Sequence, residues 1–380
     1  MTTTAPIDTA DAEAGRPRRP RGARARLWIL TPGSWTPAQR WMITGLVLLV
    51  ALGATFLLDP YRNFLLATAA ASVCAISGLS LLVGRTGQLS LGHAALMAAG
   101  AYAFAFTSNA LGDAGIDGPV RLVLPFLAAL IVAAALGGLV GIAGARLHGP
   151  YLAGLTLALV LALPALASTF SNVLGGDAGI YVSVERRPEF LSTIIATEQW
   201  QAWVALAVAA IVLGTFAQLV RSPAALRMQA VRDDESAARL SGIDPVAVRV
   251  GMFAVSAAAA GLGGGVLAYI TQSVSPGAFG LTFSLFLLVA VVIGGVGTLA
   301  GAVWGAIVIV AVPEITSAIT EVLPLSAELS QRLDGNLAIV VFGVILVVVM
   351  LAAPRGIHGA VADLVERLRR RRSADAPHIP

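Results

Sequence analysis

Lysine is absent from this 380-residue chain, and all 25 of its basic residues are arginine. A P-loop ATPase needs a lysine on the nucleotide phosphates, so this absence excludes a standard Walker ATPase. If transport here uses ATP, another polypeptide has to hydrolyse the nucleotide. The chain has one cysteine, Cys74, which excludes an internal disulfide and is interpreted as a small packing residue.

Charge is also scarce. Charged residues make up 12% of the chain and hydrophobic residues 57%, whereas about a quarter of a soluble domain is charged. Repeated apolar runs of roughly 20 residues indicate transmembrane helices, which satisfy their own backbone hydrogen bonds. The composition therefore predicts an all-α integral membrane protein with about 8–10 transmembrane helices, some of them broken or re-entrant.

The chain has ten apolar segments, the first of which begins at residue 41. Their approximate bounds are 41–58, 63–83, 88–108, 121–145, 150–171, 200–220, 250–271, 281–293, 298–313 and 336–353. The segments 281–293 and 298–313 are shorter than the ~20 residues of a perpendicular span, so they form either two tilted helices or one re-entrant hairpin. The predicted organisation is a disordered basic tail at 1–40, a transmembrane domain at 41–354 and a second basic tail at 355–380.

The arginines set the predicted orientation. With the N-terminus inside, all but five of them face the cytoplasm; the five outer ones are Arg62, Arg121, Arg186, Arg187 and Arg332. The positive-inside rule then places both termini in the cytoplasm. A basic tail could bind nucleic acid, but beside a membrane domain it is interpreted as a topology signal that is attracted to anionic membrane lipid.

Ionisable side chains are nearly absent from the predicted spans, where His93 is the main exception. Secondary transporters commonly keep Asp, Glu or Lys in the membrane for ion coupling, so this class is the less favoured alternative. Four scattered histidines do not supply the acids, bases or ligands of an enzyme or a metal centre. No catalytic residue, metal site or cofactor is predicted. A passive channel would not need the charged inner loop described next.

The longest predicted inner connection is 221–249, in which helix-boundary signals are frequent. Ser222 followed by Pro223 is an N-cap with proline at the first helical position, which predicts a helix to about Val231. A simple chain reversal could be much shorter, so a solvated connector is the less favoured interpretation of this loop.

A second short helix is predicted in the same loop. Asp233 or Asp234 can cap it, with Glu235 in its first turn. Gly242 suits a left-handed position at its end, and Asp244–Pro245 starts the helix that enters the membrane.

The predicted short helix has a small face. Ala237 and Ala238 lie beside Glu235 and Arg239. Small side chains allow a partner to approach closely, and the flanking charges can orient it.

Polar side chains also open an otherwise apolar run, at Gln88, Ser90 and His93. Polar groups at membrane depth are tolerated where they face protein or a water-filled cavity. Their spacing forms no clean helical stripe, so irregular backbone at a broken helix beside a translocation path is one interpretation. The other is that His93 is an interhelical hydrogen-bonding residue. Gly-Gly-Val-Gly at 294–297 is a second glycine-rich interruption, and paired interruptions point to a central site.

Several stretches resemble one family. The loop stretch ALRMQAVRDDESAARLSGIDP, 225–245, resembles the coupling loop of bacterial ABC importer permeases, with the pattern E-x-A-A-x-x-x-G beginning at Glu235. More narrowly, this stretch and MFAVSAAAAGLGGGVLAYITQSVSP, 252–276, resemble the LivM-type permeases for branched-chain amino acids. Further likenesses are GQLSLGHAALMAAGAY at 87–102, HGPYLAGLTLALV at 148–160, VVIGGVGTLAGAVWGAIVI at 291–309 and APRGI at 353–357.

This resemblance implies a permease subunit of an ATP-binding-cassette importer in the bacterial inner membrane. The implied substrates are branched-chain or other apolar amino acids, and urea or short amides are the alternative within the family. The implied partners are two ATPase subunits, which bind the ATP, a second related permease of the LivH type and an extracytoplasmic substrate-binding protein. The implied ATPase-coupling residues are Arg227, Arg232, Asp233, Glu235, Ala237, Ala238, Gly242, Asp244 and Pro245. The candidate translocation path comprises Gln88, Ser90, His93, Thr156, Gly294 and Gly295.

Overall fold

The computed structural model describes residues 49–145, 147, 150–185, 187, 195–322, 327–353 and 356–364. The predicted N-terminal tail, 1–40, lies outside these residues. So do residues 41–48 of the first apolar segment and residues 365–380 of the predicted C-terminal tail.

Helices form most of the described chain. In chain order they are α1 (Pro60–Thr86), α2 (His93–Asp113), α3 (Pro119–Ala145), α4 (Pro150–Thr169), α5 (Ser171–Leu174), α6 (Thr197–Arg221), α7 (Pro223–Asp233), α8 (Glu235–Leu240), α9 (Pro245–Thr271), α10 (Leu281–Gly294), α11 (Leu299–Val322) and α12 (Ala327–Ala352). Two strands, β1 (Ile180–Tyr181) and β2 (Ser273–Val274), pair antiparallel with Ile180 opposite Val274.

Eight helical stretches of the described chain are long and apolar enough to cross a membrane. They include Pro276–Gly294, which ends with α10, and Leu299–Ala318 in α11. Each of the two short predicted segments is therefore part of a longer helical stretch that can span. A ninth span results if Ile339–Leu351 and Gly356–Leu364, bent by 43°, are counted together. The predicted all-α membrane fold is confirmed.

The boundary between α1 and α2 differs from the apolar pattern, which runs on from residue 88. Helix α1 ends at Thr86, where Gly87 takes a left-handed φ of 69° and donates its N–H to the Val83 carbonyl at 3.2 Å. Helix α2 begins only at His93. Residues 87–92 therefore form a non-helical break, which agrees with the irregular backbone interpretation of Gln88 and Ser90.

Helix α9 occupies the centre of the helix packing, in contact with α1, α2 and α3. Its glycine run, 261–265, lies against neighbouring backbone: a Cβ added at Gly100 of α2 would lie 2.3 Å from the Cα of Gly261. Helices in a membrane associate through such close approaches of small residues. The position of α9 matters for function because the predicted inner loop leads directly into it.

Candidate functional site

The predicted inner loop is folded into two helices, α7 and α8, which we call the elbow (residues 222–244). Ser222 stands at the N-cap position of α7, ahead of Pro223, as predicted. Of the two predicted caps for α8, Asp234 is the one used: its Oδ1 accepts hydrogen bonds from the N–H groups of Ser236 at 2.8 Å and Ala237 at 3.0 Å. The elbow is thus a structured element, with proline at the start of α7 and a side-chain cap at the start of α8.

The end of the elbow is also built as the sequence predicts. Gly242 has a φ of 77°, a left-handed conformation that side chains disfavour. Its N–H donates to the Arg239 carbonyl, and the N–H of Ile243 donates to the Ala238 carbonyl, both at 3.0 Å. These bonds satisfy carbonyls that the end of α8 would otherwise leave unpaired. Asp244 then caps α9 by accepting from the Val246 N–H at 2.9 Å.

Glu235 forms two ion pairs, one within α8 and one that connects α8 to α9. One carboxylate oxygen of Glu235 accepts from Arg239 at 2.6 Å, and the other accepts from Arg249 of α9 at 2.7 Å. The Glu235 and Arg249 side chains are only 23% and 15% exposed, whereas Arg239 is 62% exposed. Burial acts to raise the pKa of the Glu235 carboxyl, but the charge of Arg249 and the two hydrogen bonds outweigh it and lower the pKa below its ordinary value. Glu235 is therefore held as a carboxylate that fixes α8 to the first turns of α9.

The predicted coupling residues divide into an outward and an inward set. Exposed residues are Arg227, Arg232, Asp233, Ala237, Gly242 and Asp244, whereas Ala238 and Pro245 are buried. The predicted small face is therefore split, because Ala238 packs inward and Ala237 points out. Leu240 is not among the residues that the sequence predicts for this site. It lies at the end of α8 and is 91% exposed. Its side chain adds apolar surface to the exposed side of α8.

The break between α1 and α2 is held by two hydroxyl side chains from other spans. Thr156 Oγ1 accepts from the Leu91 N–H at 2.9 Å. Ser284 Oγ donates to the Leu91 carbonyl at 2.6 Å and accepts from the Ala94 N–H at 3.4 Å. Gly92 lies so close to Thr156 that an added Cβ would be 1.9 Å from the Thr156 carbonyl oxygen. Backbone groups freed by the missing helical turn are thus satisfied by α4 and α10.

His93 links the break to the central helix. It is fully buried, with one ring nitrogen 3.4 Å from Ser90 Oγ and the other 3.1 Å from Ser256 Oγ of α9. This geometry is that of an interhelical hydrogen-bonding residue, the second of the two interpretations of His93. Gln88 is also buried, and its Nε2 has no hydrogen-bond partner in the described chain. Its role in solute passage stays a prediction, as does that of the other predicted path residues.

A second break separates α10 from α11, and it packs against the last turns of α1, just before the first break. Gly295 and Gly297 have φ values of 122° and 77°. A Cβ added at Gly84 near the end of α1 would lie 2.3 Å from the Gly297 Cα, and the Gly297 N–H donates to Ser80 Oγ at 3.0 Å. The structure therefore brings the two predicted interruptions together, although they are more than 200 residues apart in the sequence.

An apolar groove lies elsewhere on the described chain, between α3, α6 and α9. Its volume is about 510 Å³, and its walls include Phe126, Trp200, Trp203 and Leu262. None of the predicted path residues lines this groove or the second, 430 Å³ cavity beside Tyr61 and Gln201.

These features define a class: a multi-pass helical membrane protein with two chain breaks in its interior, both at the end of α1, and a structured polar elbow between two spans. The sequence profile described as "Branched-chain amino acid transport system / permease component" matches residues 61–351. The chain belongs to this family, which confirms the resemblance drawn from its motifs. The description of this family is that of a transport component and not of an enzyme.

Relatives with similar sequences agree with this family assignment. The chain is 28% identical over 302 residues to the high-affinity branched-chain amino acid transport system permease protein LivM of Escherichia coli K12, and 29% identical over 301 residues to that of Salmonella typhimurium. Each alignment covers 74% of this chain and 66% of the relative, so the chain spans just under two thirds of their length. A probable LivM of Methanocaldococcus jannaschii is 24% identical over 263 residues, or 67% of this chain and 73% of the relative. No solved structure matches the chain.

Proposed function

We propose that the chain is a permease subunit of an ATP-binding-cassette importer for branched-chain or other apolar amino acids. Membership of the permease family and the names of the relatives support this proposal. In it, the protein lies in the inner membrane with both termini in the cytoplasm. Two separate ATPase subunits bind the ATP, a second related permease completes the path, and a binding protein delivers the solute from outside.

The elbow is the observation that carries the proposal. Asp234 caps α8, Asp244 caps α9, and Glu235 fastens α8 to Arg249 in α9. An exposed apolar side chain, Leu240, stands at the end of this stiff element. A docking surface for a moving partner needs these properties, since force is lost in a flexible loop.

Movement of the elbow has a direct route to the centre of the protein. Helix α9 starts at Pro245, so a displacement of α8 shifts α9 along with it. The hydrogen bond between Ser256 of α9 and His93 passes that shift to the α1–α2 break. In the proposed cycle, closure of the ATPase subunits moves α8 and α9, and the break changes which side of the membrane it faces.

A charge reversal tests the docking step. Glu235→Lys places a third positive charge between Arg239 and Arg249 and releases α8 from α9. We expect the variant to lose association with the ATPase subunits encoded beside it, measured by co-purification, while its melting temperature in detergent stays near that of the wild type. Glu198→Lys, on the opposite end of α6, is the matched control and should co-purify normally. Normal association of the Glu235 variant would remove the elbow from the docking site.

Substrate class requires a separate measurement. The binding protein encoded beside this chain should bind leucine, isoleucine and valine in isothermal titration calorimetry. Binding of urea or acetamide instead, with no affinity for these amino acids, would overturn the proposed substrate and leave the transporter class intact.

A further inference from the structure

Arg232, near the end of α7, contacts α1 rather than its own elbow. Its Nη1 donates a hydrogen bond to the Gly84 carbonyl, 148 residues earlier in the chain. Its Cγ lies 3.6 Å from the position that a Cβ on Gly87 would take. The side chain therefore crosses the end of α1, with its stem over Gly87 and its guanidinium at Gly84.

The contact has a clear electrostatic reason. In a continuing helix the Gly84 carbonyl would accept from the N–H of Gln88, but α1 ends at Thr86. The last carbonyls of a helix lack such partners and carry the negative end of its dipole. A charged donor satisfies the carbonyl and interacts favourably with that dipole. Arg232 thus donates to a carbonyl at the end of α1 that has no partner within the helix.

Gly84 is also where α1 contacts the second break. It abuts Gly297, and Ser80, one turn earlier, accepts from the Gly297 N–H. Beyond that, Gly356 packs on Gly295, where an added Cβ would lie 2.7 Å from the Gly295 Cα. Arg232 therefore lies against Gly87, the first residue of the first break, and reaches the second break through Gly84 and Gly297.

We propose that Arg232 is a positioning residue that carries movement of the elbow to both breaks through the end of α1. This inference rests on the proposed function. The route is distinct from that through α9, because it bypasses Arg249 and Ser256. Without Arg232, docking of the ATPase subunits still moves α9, but the end of α1 does not follow.

The test uses the complete complex in proteoliposomes, with the ATPase subunits, the second permease and substrate-loaded binding protein. Arg232→Met removes the guanidinium and keeps an apolar stem over Gly87. In complexes that retain both ATPase subunits, we expect about a tenfold fall in the solute moved per ATP hydrolysed, which corresponds to about 1.4 kcal/mol. Arg232→Lys keeps a charged donor and should restore at least half of the loss. Arg62→Met, at an exposed arginine beside Asp59 on the outer side, is the matched control and should leave the ratio unchanged.

Two results would overturn the inference. If Arg232→Met moves as much solute per ATP as the wild type, the contact with Gly84 carries no movement. If the variant loses ATPase association together with transport, Arg232 is a docking contact and not a link to α1. Failure of the wild-type complex to couple ATP to uptake would instead refute the proposed function itself, so the two failures are distinguishable.

Discussion

Removal of the Glu235 charge should loosen the elbow by an amount that its contacts allow us to work out. Glu235→Gln preserves the size of the side chain and the Asp234 cap, but it removes the carboxylate that Arg239 and Arg249 share. The change therefore removes the link between α8 and α9 together with one ion pair inside α8.

The solvent exposure of each ion pair decides how much free energy it contributes. Hydrogen bonds to charged groups contribute about 1.5–3 kcal/mol, whereas exposed ion pairs contribute about 0.2–1 kcal/mol. Arg249 and Glu235 are 15% and 23% exposed, so we assign this pair about 1.5 kcal/mol, at the low end of the first range. Arg239 is 62% exposed and adds about 0.4 kcal/mol as an i,i+4 pair. The sum, about 2 kcal/mol, corresponds to roughly a 30-fold larger population of the released elbow.

Hydrogen exchange of the purified protein, followed by mass spectrometry, measures this release. Amides of residues 235–242 should exchange about 30-fold faster in Glu235→Gln, while those of α9 beyond its first turns keep their rates. A double-mutant cycle with Arg249→Met should give a coupling free energy of about 1.5 kcal/mol. A coupling below about 0.5 kcal/mol, the usual limit of additivity, would refute the view that this pair fastens α8 to α9.

Three further predictions concern the same elbow. Because the pKa of Glu235 is lowered in the folded protein, its ion pairs stabilise the elbow fully above the ordinary carboxyl pKa of 4.5 and lose this effect as the pH falls below it. The rate of amide hydrogen exchange in the elbow, corrected for intrinsic rates, should therefore stay constant from pH 8 to 5 and rise below 4.5. The Glu235→Gln variant should show no such rise. Gly242→Ala meets no neighbour within 4 Å yet forces a side chain into φ 77°, so the elbow should lose about 1–2 kcal/mol by exchange, whereas Gly214→Ala in α6 should not change it. Leu240→Ser should weaken ATPase co-purification at least tenfold with an unchanged melting temperature, while Leu57→Ser, at an equally exposed leucine, should leave it unaltered; equal effects of the two would exclude Leu240 as a docking residue.

Local signals explain which parts of the site the sequence predicts. The proline after Ser222, the cap at Asp234, the left-handed Gly242 and the cap at Asp244 each act within a few residues, so residue type alone indicates them. The break at 87–92 is predictable for the same reason, since glycines and polar side chains interrupt an apolar run there.

Contacts between distant residues could not be predicted in this way. Arg232 meets Gly84 across 148 residues because α7 packs on α1, and His93 meets Ser256 across 163 residues because α9 packs on α2. Nothing near Leu240 in the sequence shows that it is exposed while Ala238, two positions earlier, is buried. These facts depend on how the helices pack, and no single sequence pattern encodes that packing.

Uptake of radiolabelled leucine into proteoliposomes tests the central claim most directly. Vesicles that contain this chain, the second permease and both ATPase subunits should accumulate leucine only when ATP and the binding protein are supplied together. Vesicles with this chain alone should take up none, under any ion gradient. Leucine accumulation by the chain alone, driven by a sodium or proton gradient, would contradict the account of a permease that is moved through its elbow by separate ATPase subunits.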